Sequence, residues 1–183
     1  MNSVYRLLLL AFTGIVLLTL SSCGAIVKAK ANKYASIEEG AIPSNFGEGN
    51  TEVLFVTKGK KSYDKYLKSN IKKVYKGKYV FVMESDLKSD KYNNVAKYRY
   101  LFDFERESYG YHSSNTVIYG QSAIAGGNNA TGQVRRFAIR DRQEEKTYTM
   151  PMTSSFWSKL QRVYLKNMEA VRIQNSTEVE LSK

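Results

Sequence analysis

The chain has 183 residues, a formal net charge of +11 at neutral pH, one cysteine, one histidine and two prolines. A single cysteine excludes an intramolecular disulfide framework and a cysteine-rich zinc module. The single histidine leaves no Cys/His pair for nucleophilic catalysis if the cysteine is used elsewhere. Aromatic residues make up 13% of the chain, which argues against disorder, and the length suits one domain with a buried core.

The first 23 residues have the pattern of an export signal. Arg6 supplies a positive charge, and the fourteen residues from Leu7 to Leu20 carry none. A helix of that length spans about 21 Å, short of the ~30 Å hydrocarbon core, so the run is typical of a signal peptide and not of a membrane span. It ends in Leu20-Ser21-Ser22-Cys23, which resembles the lipobox of bacterial lipoproteins.

The lipobox resemblance implies that residues 1–22 are a signal peptide and that Cys23 carries acyl chains such as palmitate. Two or three chains anchor a protein stably, at about 0.8 kcal/mol per buried methylene. Gly24 is not the aspartate that marks inner-membrane retention in enteric bacteria. We therefore expect a lipid-anchored envelope protein at the outer membrane, facing the periplasm. The alternative is a periplasmic or secreted protein that is cut nearby and keeps a free thiol.

The next segment has the composition of a linker. Residues 24–50 balance three lysines with three glutamates, and breakers of periodicity recur at Gly40, Pro43, Gly47 and Gly49. We predict a flexible, lipid-anchored tether over residues 23–50, with an r.m.s. span of roughly 30 Å. A single basic domain follows over residues 51–173, and a polar, frayed tail over residues 174–183.

Within the domain, residues 51–57 form an apolar run that predicts a strand buried on both faces. Helical periodicity from Tyr63 to Lys76 comes next, with Gly77 as its stop, and residues 78–84 predict a second buried strand. Alternation over residues 95–107 predicts a third strand whose aromatic face holds Tyr98, Tyr100, Phe102 and Phe104.

The second half of the domain contains more strands and a final helix. We predict a short strand at residues 116–119, a loop at residues 123–132, and a strand pair over residues 133–142 and 146–150. Ser154 or Ser155 caps a helix that runs from Phe156 to about Ile173. Trp157 lies at the edge of the apolar arc of this helix, where it is either a core residue or an exposed anchor for a partner.

This order of elements predicts an α+β fold, with a mixed, mainly antiparallel sheet of about five strands and two helices packed on one face. The order is similar to that of small envelope-lipoprotein domains that share the fold of the TolB amino-terminal domain. Penicillin-binding-protein activator lipoproteins belong to that group. The likeness covers residues 51–173, lies in element order alone, and includes no diagnostic motif.

The first predicted helix carries a row of lysines. At about 100° per residue, five of them fall within roughly 80° of one another: Lys61, Lys65, Lys68, Lys72 and Lys76. The row is either a solvated helix face or a site for anions such as lipid A phosphates, acidic lipids or peptidoglycan carboxylates. Nucleic acid would also bind such a row, but an exported protein does not meet chromosomal DNA and no groove-reading motif is visible.

Acidic and basic residues alternate on two predicted strands. Asp103, Glu105 and Glu107 share one face of the third strand, and Arg136, Arg140 and Arg142 share one face of a later strand. If the strands pair, the two sets form a ladder of ion pairs, each contributing about 0.2–1 kcal/mol. The alternatives are a calcium site, which no EF-hand spacing supports, and a glycosidase acid/base pair, which no other feature supports.

The stretch from Tyr109 to Asn115 resembles a recognition loop in composition. Tyr109 and Tyr111 could stack on a sugar ring, while Ser113 and Asn115 form hydrogen bonds with its hydroxyls. His112 belongs to the same candidate loop, but without a second imidazole it is a poor candidate for catalysis or metal binding. The alternative is a turn at the sheet edge. The glycine-rich run 125–129 lacks the lysine and Ser/Thr of a P-loop, so it indicates a turn.

These patterns favour a non-enzymatic envelope lipoprotein without metal or cofactor. It would act as a tether or accessory binding protein for an envelope protein or for an anionic polymer such as peptidoglycan or lipopolysaccharide, and not for nucleic acid. Lipidation at Cys23 would confine it to the membrane surface and raise its concentration near its partner. The alternative is a lipoprotein that binds glycans or small ligands through residues 109–115.

Overall fold

The computed structural model describes residues 22–119 and 122–181, and within them the side chains of residues 25–105 and 134–177. The helices and strands, in chain order, are α1 (Ser22–Tyr34), β1 (Val53–Thr57), α2 (Lys61–Val74), β2 (Tyr79–Met83), β3 (Tyr100–Tyr119), β4 (Ser122–Asp141), β5 (Lys146–Thr149) and α3 (Trp157–Leu181). Two short 3₁₀ turns, Glu84–Asp86 and Asp90–Tyr92, lie between β2 and β3.

The strands form one mixed sheet in the order β2-β1-β3-β4-β5. β1 is parallel to both β2 and β3, whereas β3, β4 and β5 are antiparallel. The predicted α+β class with five strands is confirmed. The described residues contain three helices, one more than predicted.

The main core lies between the sheet and the helices. Val53 and Phe55 of β1 face this core, where the rings of Phe102 and Phe137 stack with centroids 5.7 Å apart. Helices α2 and α3 close it with buried side chains at Leu67, Ile71, Leu160, Tyr164 and Met168. Burying side chains of this size stabilises the fold by about 1.5–3 kcal/mol each.

A smaller apolar cluster covers the opposite face of β1. Leu54, Val56 and Val82 pack there against Tyr92 and Tyr98 from the segment between β2 and β3. β1 is therefore buried on both faces, as its uninterrupted apolar run predicted. The prediction that Tyr98 shares a face with Tyr100 was wrong, because β3 begins only at Tyr100 and the chain before it turns to the other side of the sheet.

Residues 31–46 are packed against the domain, so the prediction of a flexible tether over residues 23–50 was wrong for this part. Ala31, Ile42 and Phe46 belong to the main core. Asn167 of α3 donates from Nδ2 to two backbone carbonyls, 3.1 Å from Asn32 O and 2.8 Å from Ala35 O. Pro and Gly in this segment interrupt regular structure, but they leave the intervening apolar side chains free to enter a core.

The C-terminal segment is also part of the fold. Helix α3 runs to Leu181 and does not end near Ile173. The buried Asn175 donates from Nδ2 to Ser44 O at 2.7 Å and to Phe46 O at 2.9 Å. The prediction of a frayed tail from residue 174 was wrong for these residues, since these hydrogen bonds join α3 to the N-terminal segment.

The β3–β4 hairpin is longer than predicted. Each strand has twenty residues, and they pair from Tyr100–Asp141 to Tyr119–Ser122. β1 pairs with β3 only through Leu54 and Phe55, and β5 pairs with residues 138–141. The ladder over residues 106–119 and 122–133 thus extends beyond the flanking strands, and it includes the stretch 123–132 that was predicted as a loop. Among the described helices, none has the length and apolarity to cross a membrane.

Candidate functional site

Helix α2 presents the predicted lysine row to solvent. Lys61, Lys65, Lys68 and Lys72 are exposed, while the opposite side of the helix buries Tyr63, Leu67 and Ile71. Lys76 lies beyond the helix, because α2 ends at Val74 and Tyr75 is extended, but its exposed Nζ atom donates to Lys72 O at 3.4 Å and so lies at the end of the row. The Lys76 amide donates to Glu169 Oε2 at 3.1 Å, which fixes the end of α2 to α3.

A second cationic row on α3 lies beside the first. The two helices run in the same direction. Tyr63 stacks on Trp157 near the start of both helices, and further along both helices Asn70 donates to Gln161 Oε1 at 2.9 Å. Lys159, Arg162 and Lys166 are exposed on α3. We define the cationic helix face as the exposed cations of both helices: Lys61, Lys65, Lys68, Lys72, Lys73, Lys159, Arg162 and Lys166.

The cationic helix face is not neutralised by its own carboxylates. Within residues 61–74 and 157–177 the only acidic residues are Asp64 and Glu169. Asp64 accepts the amide of Lys58 at 2.9 Å, and Glu169 is buried and accepts from Arg172 Nη2 at 2.7 Å. None of the eight cations belongs to an ion pair with a described carboxylate. A one-sign field of this kind attracts anions over the whole face.

An ion cluster around the buried Lys58 side chain, at the carboxyl end of β1, was not predicted. The Nζ atom of Lys58 lies 2.6 Å from Glu84 Oε1 and 2.6 Å from Asp103 Oδ2, and the Lys58 side chain is only 4% exposed. Burial raises the pKa of the Asp103 carboxyl, against hydrogen bonds from Lys58 and from the Phe104 amide that lower it. The two ion pairs join the end of β1 to the end of β2 and to β3, so the cluster holds three strands of the sheet together.

The strands of the predicted ladder of carboxylates and arginines pair, but at least two of its side chains, Asp103 and Arg142, have other partners. β3 and β4 do pair, and Glu105 lies opposite Arg136 in the register. Asp103, however, lies opposite Ala138 and pairs with Lys58. The side chain of Glu107 lies outside the described residues.

The third arginine of the predicted ladder has a different role. Arg142 donates from Nη1 to the carbonyls of Tyr92 and Tyr98, at 2.8 and 2.9 Å, and so holds the segment between β2 and β3. Arg140 is exposed and lies opposite Leu101. In the part of the chain that the structure describes, no group of three or more His, Cys, Asp or Glu residues is placed to hold a metal ion.

The predicted ligand-binding loop is part of a strand. Tyr109, Tyr111, His112 and Asn115 lie within β3, where their backbones pair with residues 126–132 of β4. Alternating polar residues suit a strand as well as a loop, and the partner strand decides between them. The side chains of these residues lie outside the described ones, so glycan binding by them stays a prediction. The backbone of Cys23 lies in α1, and its lipidation also stays a prediction.

No protein-family model, curated protein or solved structure matches this chain. The lipobox and the likeness to small envelope-lipoprotein domains therefore stay predictions from sequence and element order. The sequence predicted the α2 part of the cationic helix face and missed the α3 part. The signal for the α3 part was present, because Lys159, Arg162 and Lys166 recur at helical spacing opposite the apolar arc.

Proposed function

We propose that this chain is a lipid-anchored, non-enzymatic binding protein of the bacterial envelope, and that its cationic helix face holds an anionic polymer or surface. The anchor would be Cys23, at the outer membrane facing the periplasm. The observation that carries the proposal is the cationic helix face, which has eight exposed cations and no exposed carboxylate among the described side chains. Near an anionic membrane each lysine or arginine contributes about 1 kcal/mol.

The short helical connection between Cys23 and the core favours membrane phosphates over peptidoglycan as the bound anion. The first core residue after Cys23 is Ala31, eight residues along a continuous helix. Eight helical residues span about 12 Å, against roughly 30 Å for a flexible chain over residues 24–50. A domain held this closely meets membrane phosphates, in lipid A or acidic lipids, before it meets more distant peptidoglycan.

Co-sedimentation tests this proposal. The mature chain with Cys23→Ser would be mixed with phosphatidylglycerol-containing vesicles, with neutral phosphatidylcholine vesicles, with lipopolysaccharide and with peptidoglycan sacculi. We expect binding to the first and third that weakens as salt rises, because salt screens exposed charges. The triple variant Lys65→Gln, Lys72→Gln, Arg162→Gln should bind about 100-fold more weakly, since three charges contribute about 3 kcal/mol.

A matched control removes three charges elsewhere. Lys88 and Lys91 lie in the segment between β2 and β3 and Lys146 begins β5, and all three are exposed. Replacing these three with glutamine lowers the net charge equally but should change binding less than about twofold. Equal losses in both triple variants would refute a dedicated face. Binding to none of the three anionic samples, with one envelope protein recurrently captured by in-cell crosslinking at Lys65, would show a protein partner instead.

A further inference from the structure

A cavity separate from the cationic helix face lies where the first turns of α2 and α3 meet strands β3 and β4. Its volume is about 410 Å³. Sites for small molecules in proteins have volumes of roughly 300–1,000 Å³ and are mostly apolar, with a few polar groups that orient the ligand. The size of this cavity is therefore appropriate for a small molecule.

The inner wall of the cavity is aromatic. The Tyr63 ring contacts Phe104 edge-on, with centroids 5.1 Å apart, and stacks on Trp157 with centroids 5.8 Å apart. Phe137 and Leu160 complete this wall. Flat rings at these spacings offer both faces and edges, which favours a planar apolar or aromatic body in the ligand.

Among the described side chains, two cations and no carboxylate line the cavity. Lys60 and Arg135 are exposed lining residues, and neither forms an ion pair with a described carboxylate. The Arg135 guanidinium lies 5.5 Å from the centroid of the Phe104 ring, which directs it over the aromatic wall. An unpaired guanidinium and an unpaired ammonium beside one cavity complement a negative charge on the ligand.

Hydroxyl groups supply further polar contacts. The Thr153 hydroxyl donates to Arg135 O at 3.1 Å, and the Ser154 hydroxyl accepts the Phe156 amide at 3.1 Å, so both are engaged. Ser62 and Ser155 line the same cavity. They add uncharged donors and acceptors, which leaves the two cations to set the charge preference.

We propose that this cavity binds a small carboxylate with a planar apolar or aromatic body. The ring lies against Tyr63, Phe137 and Trp157, and the carboxylate pairs with Lys60 and Arg135. The site is distinct from the cationic helix face, because none of the eight cations of that face lines the cavity.

Nuclear magnetic resonance tests the proposal directly. Trp157 is the only tryptophan in the chain, so its indole N–H gives one cross-peak that reports on the cavity. The ¹⁵N-labelled mature chain with Cys23→Ser would be titrated with 2-naphthoate, with the uncharged 2-naphthamide and with acetate. We expect a saturable shift of the Trp157 cross-peak with 2-naphthoate, binding of 2-naphthamide at least about fivefold weaker, and no shift with acetate.

Two charge variants and one control make the test specific. Lys60→Gln and Arg135→Gln should each weaken 2-naphthoate binding about fivefold and leave 2-naphthamide binding unchanged. Lys65→Gln, on α2 but away from the cavity, should change neither. Equal affinity for the two naphthalene compounds, or shifts that leave the Trp157 cross-peak unmoved, would overturn the proposal. The cross-peak pattern of each free variant shows whether it is folded.

Discussion

The packing of the N-terminal segment can be tested at Phe46, which lies in the stretch that composition assigned to a tether. Its side chain is 0% exposed, and its ring centroid lies 4.9 Å from that of Tyr100 and 6.5 Å from that of Tyr75. Truncating a fully buried phenylalanine to alanine removes apolar contacts and leaves a cavity, which costs about 3–5 kcal/mol. We expect Phe46→Ala to lower the free energy of unfolding by about 4 kcal/mol.

Urea unfolding of the mature chain with Cys23→Ser, followed by circular dichroism and Trp157 fluorescence, measures this loss. For a domain of this size 4 kcal/mol corresponds to a fall in Tm of about 8–16 °C. The matched control is Ile26→Ala, whose side chain in α1 is 54% exposed, and which should change stability by less than about 0.5 kcal/mol. If Phe46→Ala were as mild as Ile26→Ala, residues 31–46 would be a tether after all, and the described packing would be refuted.

Three further substitutions test the ion pairs and one tight backbone approach. Lys58→Met leaves the Asp103 carboxylate without its ion-pair partner and should lower the free energy of unfolding by about 3 kcal/mol at neutral pH. This loss should shrink toward pH ~4, because burial raises the pKa of Asp103 and protonation removes the unpaired negative charge. Urea midpoints across pH would show this, and a pH-independent cost would contradict it. Burial alone would raise the pKa of Asp141, but hydrogen bonds from Arg99 and from two backbone amides lower this pKa overall. The ionised Asp141 carboxylate therefore stabilises the fold above pH ~4, and this stabilisation is lost as the pH falls further. Asp141→Asn should therefore destabilise the protein at pH 7, and the gap from the wild type should close toward pH 3, whereas a constant gap would exclude this linkage. Gly47→Ala should lower the free energy of unfolding by at least about 2 kcal/mol, since Gly47 has φ +85° and an added Cβ would lie 2.4 Å from Arg172 Cγ. The control is Gly49→Ala, which has φ +70° but open space around the added Cβ and should cost only about 1 kcal/mol. Equal losses in thermal unfolding would rule out the close approach at Gly47.

The elements that the sequence predicted well are those with a strong local pattern. β1 is an unbroken apolar run, and α2 alternates buried and charged residues at helical spacing. The N-terminal segment has no such pattern, because its buried core residues are three alanines and the isolated side chains of Ile42 and Phe46. Its packing depends on Asn167 and Asn175, which lie more than a hundred residues further along the chain.

The same limit applies to the candidate site. The helical spacing of the α2 lysines predicts that they form one row. Whether this row lies beside the cations of α3 depends on how the two helices pack, and the spacing of residues within one helix does not predict that packing. In the sequence, Lys58 is one of nine lysines between residues 57 and 78, and no local pattern distinguishes it from the others. Its pairing with Glu84 and Asp103 arises because the parallel strand β1 ends between β2 and β3.

The long sequence separation of the hydrogen bonds from Asn167 and Asn175 also predicts an order of folding. They join residues 129 to 135 positions apart, so each closes a loop of most of the domain. Closing such a loop costs entropy before the contact repays it, and native contacts of long sequence separation slow folding. We expect residues 31–46 to dock last, so Phe46→Ala should speed unfolding more than it slows refolding. A chain exported N-terminus first would then keep the region around Cys23 open to modifying enzymes until α3 had emerged.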